Sequence, residues 1–347
     1  MKRKATIGIT RDLFDEKGKL IIPGPGLKLI ENMPNVEYRI FKDIEPEVTP
    51  EQLQSCDIVL TLQSKFTPSS LKGINQLISI HCNAAGFDPI DLNALTKSNV
   101  ILCNTPKAVR RPMAVAIITF ILTLSLKLQA KIELARAGLW DERSKHLGVS
   151  LVGKTLGSVG VGGIGHELFR LIKPFGMKHI AYDPYIKKES IADVDVNLVD
   201  FDTLLAESDF LAINCPLNRE TYHIIGESEL RKMKKEAFLI NTSRGPTVDE
   251  TALIKALREK WIAGTGIDVF EQEPTPTDNP LLNMNNVIAT PHALGWEDSV
   301  WRNKWDENIS QISKVINGEI PDGLVNREVW DNPRFRDKLK IFQVSIR

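Results

Sequence analysis

Apolar residues along this chain fall into short runs separated by polar, helix-forming stretches, and the runs come in two series. The first has strand-like runs at 6–10, 36–41, 57–62, 77–81 and 100–103, divided by helical stretches or turns carrying Pro, Gly, Asn and Ser. That spacing predicts a parallel α/β sheet, because each parallel strand must be followed by a crossover. The second series lies near 155–161, 178–182, 194–199, 209–214, 237–242, 263–269 and 287–290. It has the layout of a doubly wound, dinucleotide-binding sheet.

After residue 292 only one long helical pattern, about 298–316, and a short tail remain. These are too little to bury a core, while the first sheet needs a covering helix. The chain is therefore expected to form a discontinuous substrate (catalytic) domain, residues 1–105 plus 298–347. A Rossmann nucleotide-binding domain, 106–297, would be inserted in it. The expected fold class is α/β, with two Rossmann-like or flavodoxin-like doubly wound parallel-sheet domains and an active-site cleft between them. The two crossings, near 105–111 and 294–298, would act as hinges. One stretch imitates a membrane span: residues 113–126 carry no charge, but fourteen residues fall short of the ~20 that a spanning helix needs. A helix buried all round, between domains or subunits, is the expectation.

The most specific local signal is Gly160-Val-Gly162-Gly163-Ile164-Gly165, a G-x-G-x-x-G between a predicted strand at 155–161 and a predicted helix at 166–175. The helix would turn Leu168, Leu171 and Ile172 to the core. Gly160 permits the tight turn, Gly162 lets backbone approach a pyrophosphate, and Gly165 lets helix pack on strand. The helix N-terminus offers free N–H groups and a positive dipole end. Asp183 closes the next strand, where it can accept from the ribose hydroxyls of NAD and repel the 2′-phosphate of NADP.

Composition adds mostly exclusions. At 42% hydrophobic and 25% charged residues the chain is an ordinary soluble globular type. Its formal net charge of zero points to neither a nucleic-acid nor an anionic-membrane partner. Cys56, Cys82, Cys103 and Cys215 are widely spaced in apolar runs and read as buried free thiols in a reducing compartment. Met1 to Lys4 is basic, but the apolar run after it is too short for an export signal.

Three later strands end in chemistry: one at Arg244-Gly245, one running through Asp268 to Glu273, and one at Pro291-His292. Ligands in open α/β sheets bind beyond the carboxyl ends of the strands, so Arg244, Glu273 and His292 are expected beside the cofactor. An arginine fork can grip a carboxylate and carbonyl. An imidazolium can protonate a carbonyl oxygen as hydride arrives, and a neighbouring glutamate favours the charged ring.

With these residues in view the chain resembles the D-isomer-specific 2-hydroxyacid dehydrogenase family. The resemblance rests on Gly153-Lys-Thr-Leu-Gly157, the glycine fingerprint, Cys215-Pro216-Leu-Asn218, Asn241-Thr242-Ser-Arg244-Gly245, Asp268-Val-Phe with Glu273-Pro, and Thr290-Pro-His292. It implies Arg244 as substrate anchor, Glu273 as dyad acid and His292 as acid/base. It implies NAD as cofactor, held by Gly160, Gly162, Gly163, Ile164, Asp183, Cys215, Pro216, Thr242, Asp268, His292 and Gly295, with Asp268 on the nicotinamide carboxamide. The stretch Asn83-Ala-Ala85-Gly86-Phe-Asp88 resembles the loop whose N–H groups bind the substrate carboxylate, with Ala85 and Gly86 as donors. No metal is implied. A cytoplasmic homodimer joined through the 113–126 helix and the arm near Trp140 is expected, with a small 2-oxoacid or 2-hydroxyacid as ligand and no nucleic-acid or membrane partner.

The chain departs from the family in places. Glu-His is usual where Ile117-Ile118 stands, Arg110-Arg111-Pro112 precedes that helix, and Trp296 follows Gly295. These residues bear on substrate choice: either a solvated basic turn with a packed tryptophan, or an arginine reaching a second polar group while Trp296 limits bulk. Hydroxypyruvate, glyoxylate or phosphoglycerate-type acids are favoured. Related formate dehydrogenases resemble the family with glutamine at the place of Glu273, and the alternative class is an NADH-sensing regulatory binding protein of the same fold.

Overall fold

The structure is a computed structural model describing residues 3–21 and 24–346. Met1 and Lys2 of the basic start, and Arg347 of the tail, lie outside the described residues. The chain divides into two compact units, Met1–Val109 with Glu297–Arg347, and Arg110–Trp296.

The first unit holds a five-stranded sheet: β1 (Ala5–Ile9), β2 (Val36–Ile40), β3 (Ile58–Thr61), β4 (Ser79–Cys82) and β5 (Ile101–Cys103), in the order β2-β1-β3-β4-β5. Every pairing is parallel, which gives the flavodoxin-like order. Central β3, Ile-Val-Leu-Thr, is buried throughout, whereas edge strand β2, Val-Glu-Tyr-Arg-Ile, is largely open. That contrast is what helices on both faces impose on central and edge strands.

The C-terminal segment completes this unit. Helix Asp298–Asn317 sends Trp305, Ile312 and Val315 into the core that contains Ile7, Ile58 and Ile101. The presumed short tail is instead a second long helix, Pro333–Ile346, which buries Phe335, Leu339, Phe342 and Ile346 in the same core. Asn326 covers the β5 edge like a strand, accepting from Leu102 N–H at 2.8 Å and donating to Val100 O at 2.9 Å.

The second unit holds seven parallel strands: β6 (Thr155–Val159), β7 (Lys178–Tyr182), β8 (Asn197–Leu198), β9 (Phe210–Ile213), β10 (Phe238–Asn241), β11 (Gly264–Ile267) and β12 (Val287–Ala289). Their order is β12-β11-β10-β9-β6-β7-β8. The topological switch lies between β6 and β9, and ligands of such sheets sit at that point. The helix after β6 is Gly163–Ile172, earlier than expected, and turns Leu168, Phe169 and Ile172 inward while Leu171 is only partly buried.

The uncharged 113–126 stretch belongs to a longer helix, Pro106–Ser125, which also takes in Arg110 and Arg111; they do not form a turn. By length and composition this helix could cross a membrane. Its burial is one-sided, not all round. Ile117, Phe120, Ile121 and Leu124 join Leu156, Phe169 and Ile240 in one cluster, while Val115 is exposed. The following helix, Leu128–Ala137, buries no residue.

Candidate functional site

The fingerprint turn is built as its residue types require. Gly160 has φ +94°, a left-handed value suited to glycine. A Cβ on Gly165 would lie 2.6 Å from Gly160 O, so only glycine allows this approach of helix to strand. A Cβ on Gly162 would meet nothing within 4 Å, which leaves open space over the turn. The N–H groups of Gly163, Ile164 and Gly165 have no acceptor among the described residues; the helix ladder begins with His166 N–H to Gly162 O at 2.9 Å. The turn thus fits the pyrophosphate of a dinucleotide.

Asp183, at the end of β7, is fixed by two backbone donors. Its Oδ2 accepts from Val161 N–H at 2.9 Å and its Oδ1 from Tyr185 N–H at 3.0 Å. Ser158 and Asn214, not singled out from the sequence, lock the switch point. Asn214 Nδ2 donates to Ser158 Oγ at 2.9 Å, and Ser158 Oγ donates to Gly160 O at 2.7 Å. Cys215 follows as a buried thiol, pushed up to about 11 chiefly by burial, with the Asp183 charge adding. Pro216 O accepts from Thr221 Oγ1 at 2.6 Å, Thr242 is buried, and Gly295 packs against Met113.

Three successive strands of this unit lead to Arg244, Glu273 and His292. Arg244 follows β10 and opens the turn Gly245–Thr247, with its carbonyl held by Asn241 Nδ2 at 3.0 Å and Thr247 Oγ1 at 2.7 Å. A Cβ on Gly245 would lie 1.9 Å from Phe270 O, so this turn presses directly on the segment leaving β11. Farther along that segment stands Glu273. Its Oε1 accepts from Phe270 N–H at 2.9 Å, and its Oε2 lies 2.7 Å from Nδ1 of His292, beyond β12.

Burial pushes the Glu273 carboxyl up, but the His292 hydrogen bond, the Phe270 N–H and the charges of His292 and Arg244 outweigh it. The net effect holds Glu273 below the ordinary carboxylate range. An ionised carboxylate only accepts, so Nδ1 of His292 carries the proton in this pair. That leaves Nε2 as the ring nitrogen able to exchange a proton with a ligand.

Asp268 proves to be a brace as well as a cofactor candidate. Buried at the end of β11, it accepts from Thr290 Oγ1 at 2.6 Å and from the N–H groups of Ala293 at 3.0 Å and Leu294 at 3.2 Å. These bonds flank His292, whose φ of 53° is left-handed and needs such support.

In the first unit, the loop after β4 is held by its carbonyls. Ala84 O accepts from Thr105 N–H at 3.0 Å, Ala85 O from Asn104 Nδ2 at 2.6 Å, and Gly86 O from Cys82 Sγ at 3.4 Å. The N–H groups of Ala85 and Gly86 have no acceptor among the described residues. Of the residues suspected in substrate choice, Arg111 pairs with Glu167 at 3.2 Å and Trp296 is exposed. All four cysteines are free and buried, and the described residues hold no cluster suited to a metal ion.

The sequence family described as D-isomer specific 2-hydroxyacid dehydrogenase, NAD binding domain, matches residues 118–293. A glyoxylate reductase of Thermococcus litoralis is 39% identical over 321 residues, spanning 89% of this chain and 95% of that protein. A D-3-phosphoglycerate dehydrogenase of Methanocaldococcus jannaschii is 34% identical over 314 residues, 89% of this chain and 59% of that one. Among solved structures, the D-lactate dehydrogenase of Aquifex aeolicus complexed with NAD and lactic acid superposes with a TM-score of 0.80 at 27% identity, over 92% of this chain and 98% of that one.

Proposed function

Because the chain belongs to the D-isomer-specific 2-hydroxyacid dehydrogenase family, we propose that it interconverts a small D-2-hydroxyacid and its 2-oxoacid by hydride transfer, with a substrate of the hydroxypyruvate, glyoxylate or phosphoglycerate type. It is an NAD-dependent 2-hydroxyacid dehydrogenase, an oxidoreductase acting on CH–OH. The observation that carries the mechanistic reading is the pair of Glu273 Oε2 and His292 Nδ1 at 2.7 Å, beyond strands that also deliver Arg244.

NADH supplies the hydride when bound; the chain's own residues supply orientation, charge and a proton. Arg244 grips the substrate carboxylate and carbonyl through its planar fork. Ala85 and Gly86 offer the carboxylate two N–H donors from a loop tied down by its carbonyls. His292 delivers the proton from Nε2 to the carbonyl oxygen, and Glu273 stabilises the imidazolium before transfer. Asp268 keeps the His292 loop in place while offering an acceptor towards the nicotinamide carboxamide. Asp183 favours NAD over NADP through its fixed carboxylate.

The regulatory alternative, an NADH-sensing binding protein, would have no need of Arg244, Glu273 and His292 together, and all three are present. A substrate screen following NADH absorbance tests the reading. Turnover with glyoxylate or hydroxypyruvate is expected; no turnover with any 2-oxoacid would leave the binding-protein alternative.

The assembly we propose is a homodimer. Helix Leu128–Ala137 buries nothing, and Leu126, Leu139, Trp140, Leu147 and Val152 beside it are exposed. A ten-residue helix with no buried residue is marginal in water, and such a run of exposed apolar side chains marks an interface. Four buried free thiols agree with a cytoplasmic setting.

A further inference from the structure

Arg110 and Gly163 are far apart in sequence but touch. A Cβ on Gly163 would lie 2.5 Å from Nε, 3.0 Å from Cδ and 3.1 Å from Cζ of Arg110. The arginine therefore lies against the first residue of helix Gly163–Ile172, the helix whose free N–H groups face the dinucleotide site. Any side chain at 163 would displace it.

Electrostatics make this placement informative. A helix N-terminus carries a partial positive charge, so a guanidinium there is repelled unless an anion joins them. Arg110 is exposed and could turn away into water, yet it lies on the helix end. Its neighbour Arg111 is neutralised by Glu167, which Arg170 also contacts at 2.7 Å. Among the described residues no carboxylate pairs with Arg110. The two arginines thus differ in kind: one belongs to a surface ion-pair network, the other waits at an anion-binding turn.

We propose that Arg110 binds the pyrophosphate of NAD, adding a guanidinium to the backbone donors of the fingerprint. Arginine suits this task, since its fork reaches two phosphate oxygens at once. Gly163 then has a second purpose besides helix entry: it leaves the space that Arg110 occupies. The adjacent position in the fingerprint, Gly162, stays open for the phosphates themselves.

Titration calorimetry with NADH, ADP-ribose and adenosine, on wild type and on Arg110→Ala, Arg110→Lys and Arg111→Ala, tests this without turnover. Arg110→Ala should weaken NADH and ADP-ribose by about tenfold each, the loss expected for a hydrogen bond to a charged group. Adenosine, which lacks the pyrophosphate, should bind all four proteins alike. The salt dependence of NADH binding should fall in Arg110→Ala and partly return in Arg110→Lys. Arg111→Ala should match wild type. Unchanged NADH affinity in Arg110→Ala would overturn the proposal, and so would an equal loss for adenosine, since the effect would then not come from the phosphates.

Discussion

Glu273 Oε2 stands 2.7 Å from Nδ1 of His292, and the other oxygen of the same carboxylate is taken by the Phe270 N–H at 2.9 Å. One carboxylate thus fixes both the tautomer and the orientation of the ring. The carboxyl is held below its usual range, so it remains ionised wherever the enzyme is expected to work.

Glu273→Gln keeps the shape of the pair and removes the charge. The imidazolium loses its stabilising neighbour, so the rate of 2-oxoacid reduction should begin to fall at lower pH than in wild type. NADH affinity should be unchanged. Rate–pH profiles for both proteins check this; superimposable profiles would remove Glu273 from the proton-transfer step.

Asp183 is expected to set the choice of cofactor. Asp183→Ala removes the acceptor for the ribose hydroxyls and the charge that repels a 2′-phosphate. NADH binding should weaken by about tenfold, and the gap between NADH and NADPH should narrow. Measuring kcat/KM with both cofactors decides it. A wild-type preference for NADPH would show that the fixed carboxylate does not discriminate.

The strand positions in both sheets were legible because a buried parallel strand is a nearly unbroken apolar run; β7 matches its expected span residue for residue. Arg244, Glu273 and His292 could be read because each follows one of those runs. What the sequence hid depends on chain segments returning from elsewhere. Asp268 bracing the His292 loop, Gly245 pressed on Phe270 and Arg110 lying on Gly163 are contacts with no local pattern. The helix Pro106–Ser125 begins before its uncharged stretch because packing on the seven-stranded sheet overrides Pro112, which lacks an N–H for the helix ladder. The C-terminal helix was missed for a different reason. Phe335, Leu339, Phe342 and Ile346 have helical spacing, but the charges between them resemble a polar tail.

Lys304 offers a stability test. It is buried on helix Asp298–Asn317, with Nζ 3.9 Å from the Trp301 ring centroid, and burial pushes its ammonium down to about 8. The folded state therefore releases this proton at lower pH than the unfolded chain, whose ordinary value is 10.5. Burying the charge costs stability below about pH 8, and the cost is relieved as pH rises towards 10.5. Lys304→Met should raise stability at neutral pH by roughly 1–4 kcal/mol, as replacing a buried charge with a packed apolar group often does. The difference between the two melting curves should shrink as pH rises towards 10.5. Lys338, similarly lowered, is common to both proteins and cancels.

The proposed dimer makes a simple forecast. Trp140→Arg with Leu128→Glu should shift the protein to a monomer in sedimentation velocity, because both exposed apolar groups lie in the segment that this chain leaves uncovered. A wild-type monomer at micromolar concentration would contradict the assembly.

The central claim is that His292 donates the proton that completes reduction of a 2-oxoacid. Its most direct test is a single-turnover experiment with glyoxylate, comparing wild type with His292→Ala, each saturated with NADH at its own measured affinity. The account predicts that NADH oxidation in the variant slows by roughly 10²–10⁴-fold. Oxidation at near wild-type rate in the folded, NADH-bound variant would contradict it.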